Sequence, residues 1–560
     1  MYLSKTGKLH IIVVFLSLLI LSGCAAGTVA DEVVPVKAVY PAVSVSFSKG
    51  SGIYPDGLIL TLTADDGYDI YYTLDGSVPD SGSERYTAPL QLSGSAEGWL
   101  SEDTDSLITI DGSRRILPSE LIPDAWVIRA VAAAPDGALG PVVTGSYLTS
   151  QSPVPDVNDS LLVFLSCDPG SLLDYDTGIM VKGRYYEEWC ISSGSLPGSP
   201  GDPEANYTQK GKAWERPACV EVIDLHENTY VRQDCGIRIQ GRFSRKFAHK
   251  SFNVFLRDRY GSDTLSFDLF GDSFTDYDSF TLRSGGNTAD GLVFKDCLQQ
   301  ELLSDRSFLT QKMRSAILYL NGEYWGCYSL NERFTSELLS ALFDAQDILI
   351  IKQGEYEDGP ENCMYLFEEL NGFSYQDMSD PEVWSLFKQT VAVEEMAEYY
   401  AAQVYMANCD FSPSSNCELF ISIGEKGKSD YADGRWHFIL YDTEYSSGLY
   451  GEAKTAYDAD TLTDLIAKDH LFASALRSKE FRDLFLEALR QIGSQDLSYE
   501  RVSSAADRYG SEWKDLLSLQ YERFGDDSAV YSYQLSLLRS FYEKRYSYIV
   551  PQAEKILAGY

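Results

Sequence analysis

Residues Trp436-His437-Phe438-Ile439-Leu440-Tyr441-Asp442-Thr443-Glu444 read as a buried strand that ends in carboxylates. A buried run that stops at an aspartate often delivers a metal ligand, because oxygen donors suit hard cations. Ordinary turn caps look similar, so the neighbours matter. Upstream lies Asn408-Cys409-Asp410, with Asn416 six residues beyond the aspartate. Before it, Met396 to Met406 carries apolar residues at helical spacing, as do Phe481–Ile492 and Leu535–Ile549. Earlier still, Ala316–Leu320 and Glu323–Arg333 flank Asn321-Gly322, the turn dipeptide that favours a tight hairpin. Leu161 to Leu165 reads as a buried opening strand. The region from 160 to about 335 mixes strands and loops, and the region from about 380 is largely helical. An α+β domain over 160–555, with a strand-rich lobe and a helix-rich lobe, follows.

Two more stretches belong to this domain. Phe280-Thr281-Leu282-Arg283-Ser284-Gly285-Gly286-Asn287 precedes an amphipathic helix near 292–303. Cys235 to Val254 carries Arg238, Arg242, Arg245, Lys246 and Lys250, the densest basic cluster in an acidic chain. It reads as strand, basic turn, strand. Such a turn either neutralises a ligand's phosphates or pairs with the protein's own carboxylates.

Upstream of 150 the pattern changes. Leu58–Thr63, Asp69–Thr73 and Trp126–Val131 alternate apolar and polar residues, separated by Asp65-Asp66-Gly67, Asp75-Gly76 and Pro135-Asp136-Gly137. Short strands with turns and no helical period imply an all-β, Ig-like sandwich over 41–149. Ser150 to about 159 is a linker. At the start, Lys5 and Lys8 precede an apolar run from Ile11 to Leu21, and then Leu21-Ser22-Gly23-Cys24. The run is short for a membrane span and suits a secretory signal over 1–23. The tetrapeptide matches the bacterial lipobox, which makes Cys24 the lipidated residue and 24–40 a tether. The expected location is therefore the cell membrane, lipid-anchored and extracytoplasmic.

The chain has 560 residues and a net charge of −37. That field repels nucleic acid, which is not an expected partner. An anionic ligand needs a local basic patch or metal ions. Nine cysteines follow Cys24, with no CxxC pair, so a structural zinc site is not expected and disulfide pairing stays open. No Walker A sequence or Gly-rich kinase loop is present.

Two resemblances follow from these stretches. Ile70-Tyr71-Tyr72-Thr73-Leu74-Asp75-Gly76-Ser77-Val78-Pro79 resembles the signature of the small sandwich found at the C-terminus of chitobiases, which serves as a spacer or binds glycan. In the large domain, the arginine-rich segment ending Lys250-Ser251, the LRSGGN turn, the LNGEYWG hairpin, the Asn408…Asn416 loop and the Trp436–Glu444 strand resemble, in that order, the CotH family of atypical protein kinases. The family is named for a spore-coat protein. That resemblance implies transfer of the ATP γ-phosphate to protein hydroxyls, with Mg²⁺. It implies Lys250 as the cation on the phosphates, with Arg242 and Arg245 beside it. Asp410 is the implied catalytic carboxylate, and Asn416 and Asp442 are the implied metal ligands. Glu444 stands where the family more often has a second aspartate, and it is a further candidate ligand. The acceptor is then a protein of the cell surface or envelope. Two other readings stay open: a non-catalytic surface scaffold or adhesin that keeps the kinase-like fold, and a carbohydrate-active protein using Asp442 and Glu444. The oligomeric state is left open.

Overall fold

The computed structural model describes residues 43–98, 107–109, 123–150, 160–196, 203–525 and 527–560. The signal segment 1–23, the tether 24–40 with Cys24, and linker residues 151–159 lie outside them. Residues 41–560 form one compact unit.

The N-terminal part is strand-rich. Gly52–Pro55 (β1), Asp69–Thr73 (β2), Glu84–Arg85 (β3), Trp126–Ala133 (β4) and Val143–Ser150 (β5) form one sheet in the order β1-β5-β4-β2-β3. Two short pairs, Ser46–Phe47 with Leu62–Thr63 and Leu58–Leu60 with Leu90–Leu92, lie beside it. Leu60, Ile70, Tyr72, Ile128, Ala130 and Tyr147 share the core of this sandwich. The residues of β2 alternate between half-buried and buried, as period-2 patterning requires.

The large domain opens with a closed barrel. Its strands are Leu161–Cys167 (β6), Arg216–Asp224 (β7), Thr229–Gln240 (β8), Ser251–Phe255 (β9), Ser279–Arg283 (β10), Met313–Leu320 (β11) and Glu323–Glu332 (β12). The order is β6-β7-β8-β9-β10-β12-β11, and β6 closes on β11 in parallel. Every residue of β6 is buried, as the apolar run Leu161–Leu165 predicts for most of its length. The β11–β12 turn is Asn321-Gly322 with φ of 48° and 85°, the left-handed pair such a two-residue hairpin requires. Asn321 also exchanges two 2.7 Å hydrogen bonds with the backbone of Cys167, pinning the hairpin to β6.

Between β10 and β11 lies the helix Lys295–Leu302 (α1), seven of whose eight residues are buried. A second sheet follows. Asp347–Lys352 (β13), Glu355–Asp358 (β14), Glu418–Ile423 (β15) and Trp436–Leu440 (β16), with the short Leu309–Thr310 strand, run in the order 309–310, β16, β15, β13, β14. The helices Val393–Met406 (α2), Lys479–Gln491 (α3), Tyr499–Glu512 (α4), Lys514–Phe524 (α5) and Ser528–Leu557 (α6) complete the second lobe. Twelve of the fourteen residues of α2 are buried, so it runs through the centre of the lobe rather than over it.

The sandwich packs directly on the barrel. The buried Glu221 of β7 accepts hydrogen bonds from Ser51 and, at 2.5 Å, from Ser146, both on the sandwich. Burial raises its carboxyl above the usual range, and these hydroxyls oppose the shift. Ala125 N–H donates to Gly322 O at 2.7 Å, and Tyr324 N–H donates to Asp124 at 3.1 Å. All nine cysteines from Cys167 to Cys417 are free thiols. Among the described residues, no helix is long and apolar enough to cross a membrane.

Candidate active site

A cleft of about 680 Å³ lies between the barrel and the second sheet. Three segments bring chemistry into it: the end of β10, the loop after α2, and the segment after β16.

The α2 helix stops at Ala407, whose φ is 52°. Its last carbonyls are capped from a distance. The fully buried Arg545 of α6 donates to Val404 O and Tyr405 O at 2.7 and 3.0 Å, and also to Tyr457 O, Ala459 O and the Thr461 hydroxyl. Burial lowers its guanidinium to about 10. The chain then turns into Asn408-Cys409-Asp410, where Asn408 Nδ2 donates back to Gln403 at 2.9 Å. Asp410 and Asn416 meet in the cleft, with Asn416 Nδ2 3.4 Å from Asp410 Oδ2. The backbone of Asn416 is left-handed (φ 51°), and so is that of Asp442 (φ 55°). Two non-glycine residues held in this region within one cleft fit a site where geometry outweighs backbone comfort.

Arg283, the last residue of β10, ties these parts together. Its Nη2 donates to Asp442 Oδ1 at 2.7 Å and to Glu444 Oε1 at 2.5 Å, and its Nη1 lies 3.4 Å from Asp296 Oδ2 of α1. Burial opposes its charge, but Asp442, Glu444 and Asp296 outweigh that and hold the guanidinium well above its ordinary value. The α1 helix is fastened to the same segment. Lys295 Nζ donates to Glu444 O and Ser446 O at 3.0 and 2.5 Å, and Gln300 donates to Leu440 O at 3.0 Å. The hydroxyl of Thr443 lies 2.7 Å from Asp296. Burial lowers Lys295 to about 7.

The cleft unites Asp410, Asn416 and Asp442, as expected from the sequence. Lys250 is a correction. It is fully buried, does not line the cleft, and its Nζ donates to three backbone carbonyls: Arg245 O (2.6 Å), Phe247 O (2.9 Å) and Ile108 O (2.9 Å). The ammonium stabilises the turn it belongs to instead of reaching a ligand. Arg245 lines the cleft, but its guanidinium is engaged by Gly241 O, Tyr207 O and Gln209 O, and burial lowers it to about 10. Arg242 is exposed in the cleft and makes no hydrogen bond or ion pair to a described residue.

Glu444 is the second correction. One of its oxygens takes Arg283, and the other takes the N–H of Asn287 at 3.0 Å. Burial pushes its carboxyl up to about 8, with Arg283 opposing and the charges of Asp442 and Asp296 adding to the rise. It anchors the Ser284–Asn287 turn and is not a free metal ligand. Its side chain is 2% exposed and both of its oxygens are engaged, which counts against the carbohydrate-active reading of the Asp442/Glu444 pair. Gly286 explains the glycines of that turn. Its φ is +48°, and a Cβ there would stand 2.4 Å from Glu444 Oε2.

The sequence reasoning missed Arg283 and Asp296. The signal was in the alternation of Phe280-Thr281-Leu282-Arg283, which puts Thr281 and Arg283 on one face, and both line the cleft.

The sequence profile of the CotH kinase protein family matches residues 237–549, more than half of the chain. The chain belongs to this family. A profile described as Fn3 associated matches residues 60–147, within the N-terminal strand-rich part. No curated protein matches the chain. The kinase-family match begins inside β8, so β6 and β7 complete the barrel from outside it.

The donor set fits a hard divalent cation. Asp410, Asn416 and Asp442 offer oxygen donors on one side of the cleft. Burial raises the Asp410 carboxyl, and the charge of Asp442 raises it further, so a cation between them would relieve both. Among the described residues no group of three or more His, Cys, Asp or Glu forms such a site, and here an asparagine completes the set.

Proposed function

We propose that this CotH-family chain is an atypical protein kinase that transfers the γ-phosphate of ATP to a protein hydroxyl. The observation that carries the reading is the convergence of Asp410, Asn416, Asp442 and Arg283 in one cleft. Phosphoryl transfer asks for positioning and charge neutralisation, and the cleft offers both. Arg283 takes the role first given to Lys250: it is the cation nearest the candidate metal ligands. Arg242 offers a second, unengaged guanidinium to phosphate. The Asp410 carboxylate accepts the proton of the acceptor hydroxyl. The hydroxyl oxygen of the acceptor then bonds to the γ-phosphorus, the bond to the β-phosphate oxygen breaks, and ADP leaves. An aspartate whose affinity for protons is raised by burial and by Asp442 serves better as that base. Mg²⁺ held by Asn416 and Asp442 would supply neutralising charge to the phosphates.

In this reading the protein is anchored by lipid at Cys24 on the outer face of the membrane and acts on an envelope or surface protein. The scaffold alternative has two observations in its favour: Lys250 turns away from the cleft carboxylates, and Arg283 is already engaged by three carboxylates. Calorimetry separates the two. The chain from residue 25 onward should bind ATP with Mg²⁺, and Asp442→Asn should abolish that binding. Failure to bind millimolar ATP leaves the scaffold.

A further inference from the structure

The buried lysine that does not serve the cleft has another task. Ile108 lies between the sandwich strands Leu90–Leu92 and Trp126–Ala133 in sequence, yet it is fully buried in the barrel core, among Leu172, Val181, Ala248 and Phe252. Its carbonyl accepts from Lys250 Nζ at 2.9 Å, and its neighbour Leu107 accepts from Lys182 N–H at 2.8 Å. The other two acceptors of Lys250 are carbonyls of the basic turn, Arg245 O and Phe247 O. An ammonium has three N–H donors, and these carbonyls match them in number. The ring of Tyr207 lies 4.2 Å from Nζ, and the carbonyl of the same tyrosine accepts from Arg245. One connected set of bonds therefore runs from Ile108, through Lys250, into the turn that brings Arg242 to the cleft.

We propose that the sandwich is a working part of the cleft's roof, and that Ile108 and Lys250 are positioning residues that hold the 241–250 turn, and with it Arg242, over Asp410. The contact joins two segments that match different families, since Ile108 lies within 60–147 and Lys250 within 237–549. A mere spacer needs no residue in its neighbour's core. The functional part of this inference rests on the nucleotide reading above, but the brace itself does not.

The test compares Ile108→Gly, Ile108→Val and Lys250→Met with the unaltered chain, by amide hydrogen exchange and by ATP–Mg²⁺ affinity. In Ile108→Gly and Lys250→Met, amides of residues 243–247 should exchange at least about tenfold faster. Those of α2 should be unchanged, which shows that the fold survives. Ile108→Val should behave as the unaltered chain. Affinity should fall about tenfold in the two loosened variants, the loss expected for one displaced charge-assisted contact. Unchanged exchange in the turn overturns the brace. A loosened turn with full affinity overturns its role in the cleft. If the unaltered chain binds no nucleotide, the kinase reading fails, and turn exchange alone decides the brace.

Discussion

Replacing Arg283 by methionine removes the one cation shared by Asp442, Glu444 and Asp296. The guanidinium is buried, so water cannot substitute for it, and three carboxyl groups are left facing one another. Breaking a buried pair in this way costs about 3–5 kcal/mol. The cost depends on pH, and its sign follows from Glu444. Burial pushes that carboxyl up to about 8 in the folded chain, from an ordinary value of 4.5. Its contribution favours folding fully below about 4.5 and is lost as pH rises through 8. Arg283 opposes this loss by attracting the ionised form, and methionine cannot. The stability deficit of Arg283→Met should therefore be present at pH 5.5, where Asp442 and Asp296 lose their partner, and grow further toward pH 9. Denaturant unfolding of both proteins at pH 5.5, 7 and 9 measures it, with calorimetry reporting the accompanying loss of ATP–Mg²⁺ binding. Parallel stability curves across that range, together with unimpaired binding, would refute the assignment of Arg283 as the charge centre of the cleft.

Two further substitutions probe the site's supports. Gly286→Ala places a Cβ against Glu444 at a left-handed backbone position; it should destabilise by about 2–4 kcal/mol, read by denaturant midpoint, and a neutral result would mean that the turn can move away from Glu444. Arg545→Met uncaps the end of α2 and leaves buried carbonyls without a donor; it should cost about 3–5 kcal/mol and speed amide exchange at residues 404–410, whereas a stable variant with a protected loop would show that the cap is dispensable.

The parts legible in the sequence were those written in local chemistry. Asn321-Gly322 announced its hairpin because two adjacent residues needed left-handed backbone. Asp410, Asn416 and Asp442 stand out in the sequence through the family resemblance and the strand that ends in carboxylates, and all three line one cleft. The role that the family resemblance implies for Lys250 does not hold, because a motif match does not say which way a basic turn folds. The lysine's nearest acceptors were carbonyls three and five residues away, and the third came from Ile108, 142 residues upstream. Arg283 was passed over because its partners lie 13, 159 and 161 residues on. The apolar pattern reads as a strand running through to Glu444, but β16 ends at Leu440 and the left-handed backbone of Asp442 breaks the extended run.

The parallel pairing of β6 with β11 has a consequence for assembly. Leu161 and Ala316 are partners, so the first strand of the barrel waits for about 150 further residues before its second edge is covered. Until then a strand buried at every position, Leu161 to Cys167, has one ladder edge open to any other chain. A chain cut short before residue 313 would keep β7 to β10 and still expose that edge. The seam between the first and last-made halves of the barrel is thus the point at which incomplete or slowly delivered chains would join to one another instead of to themselves.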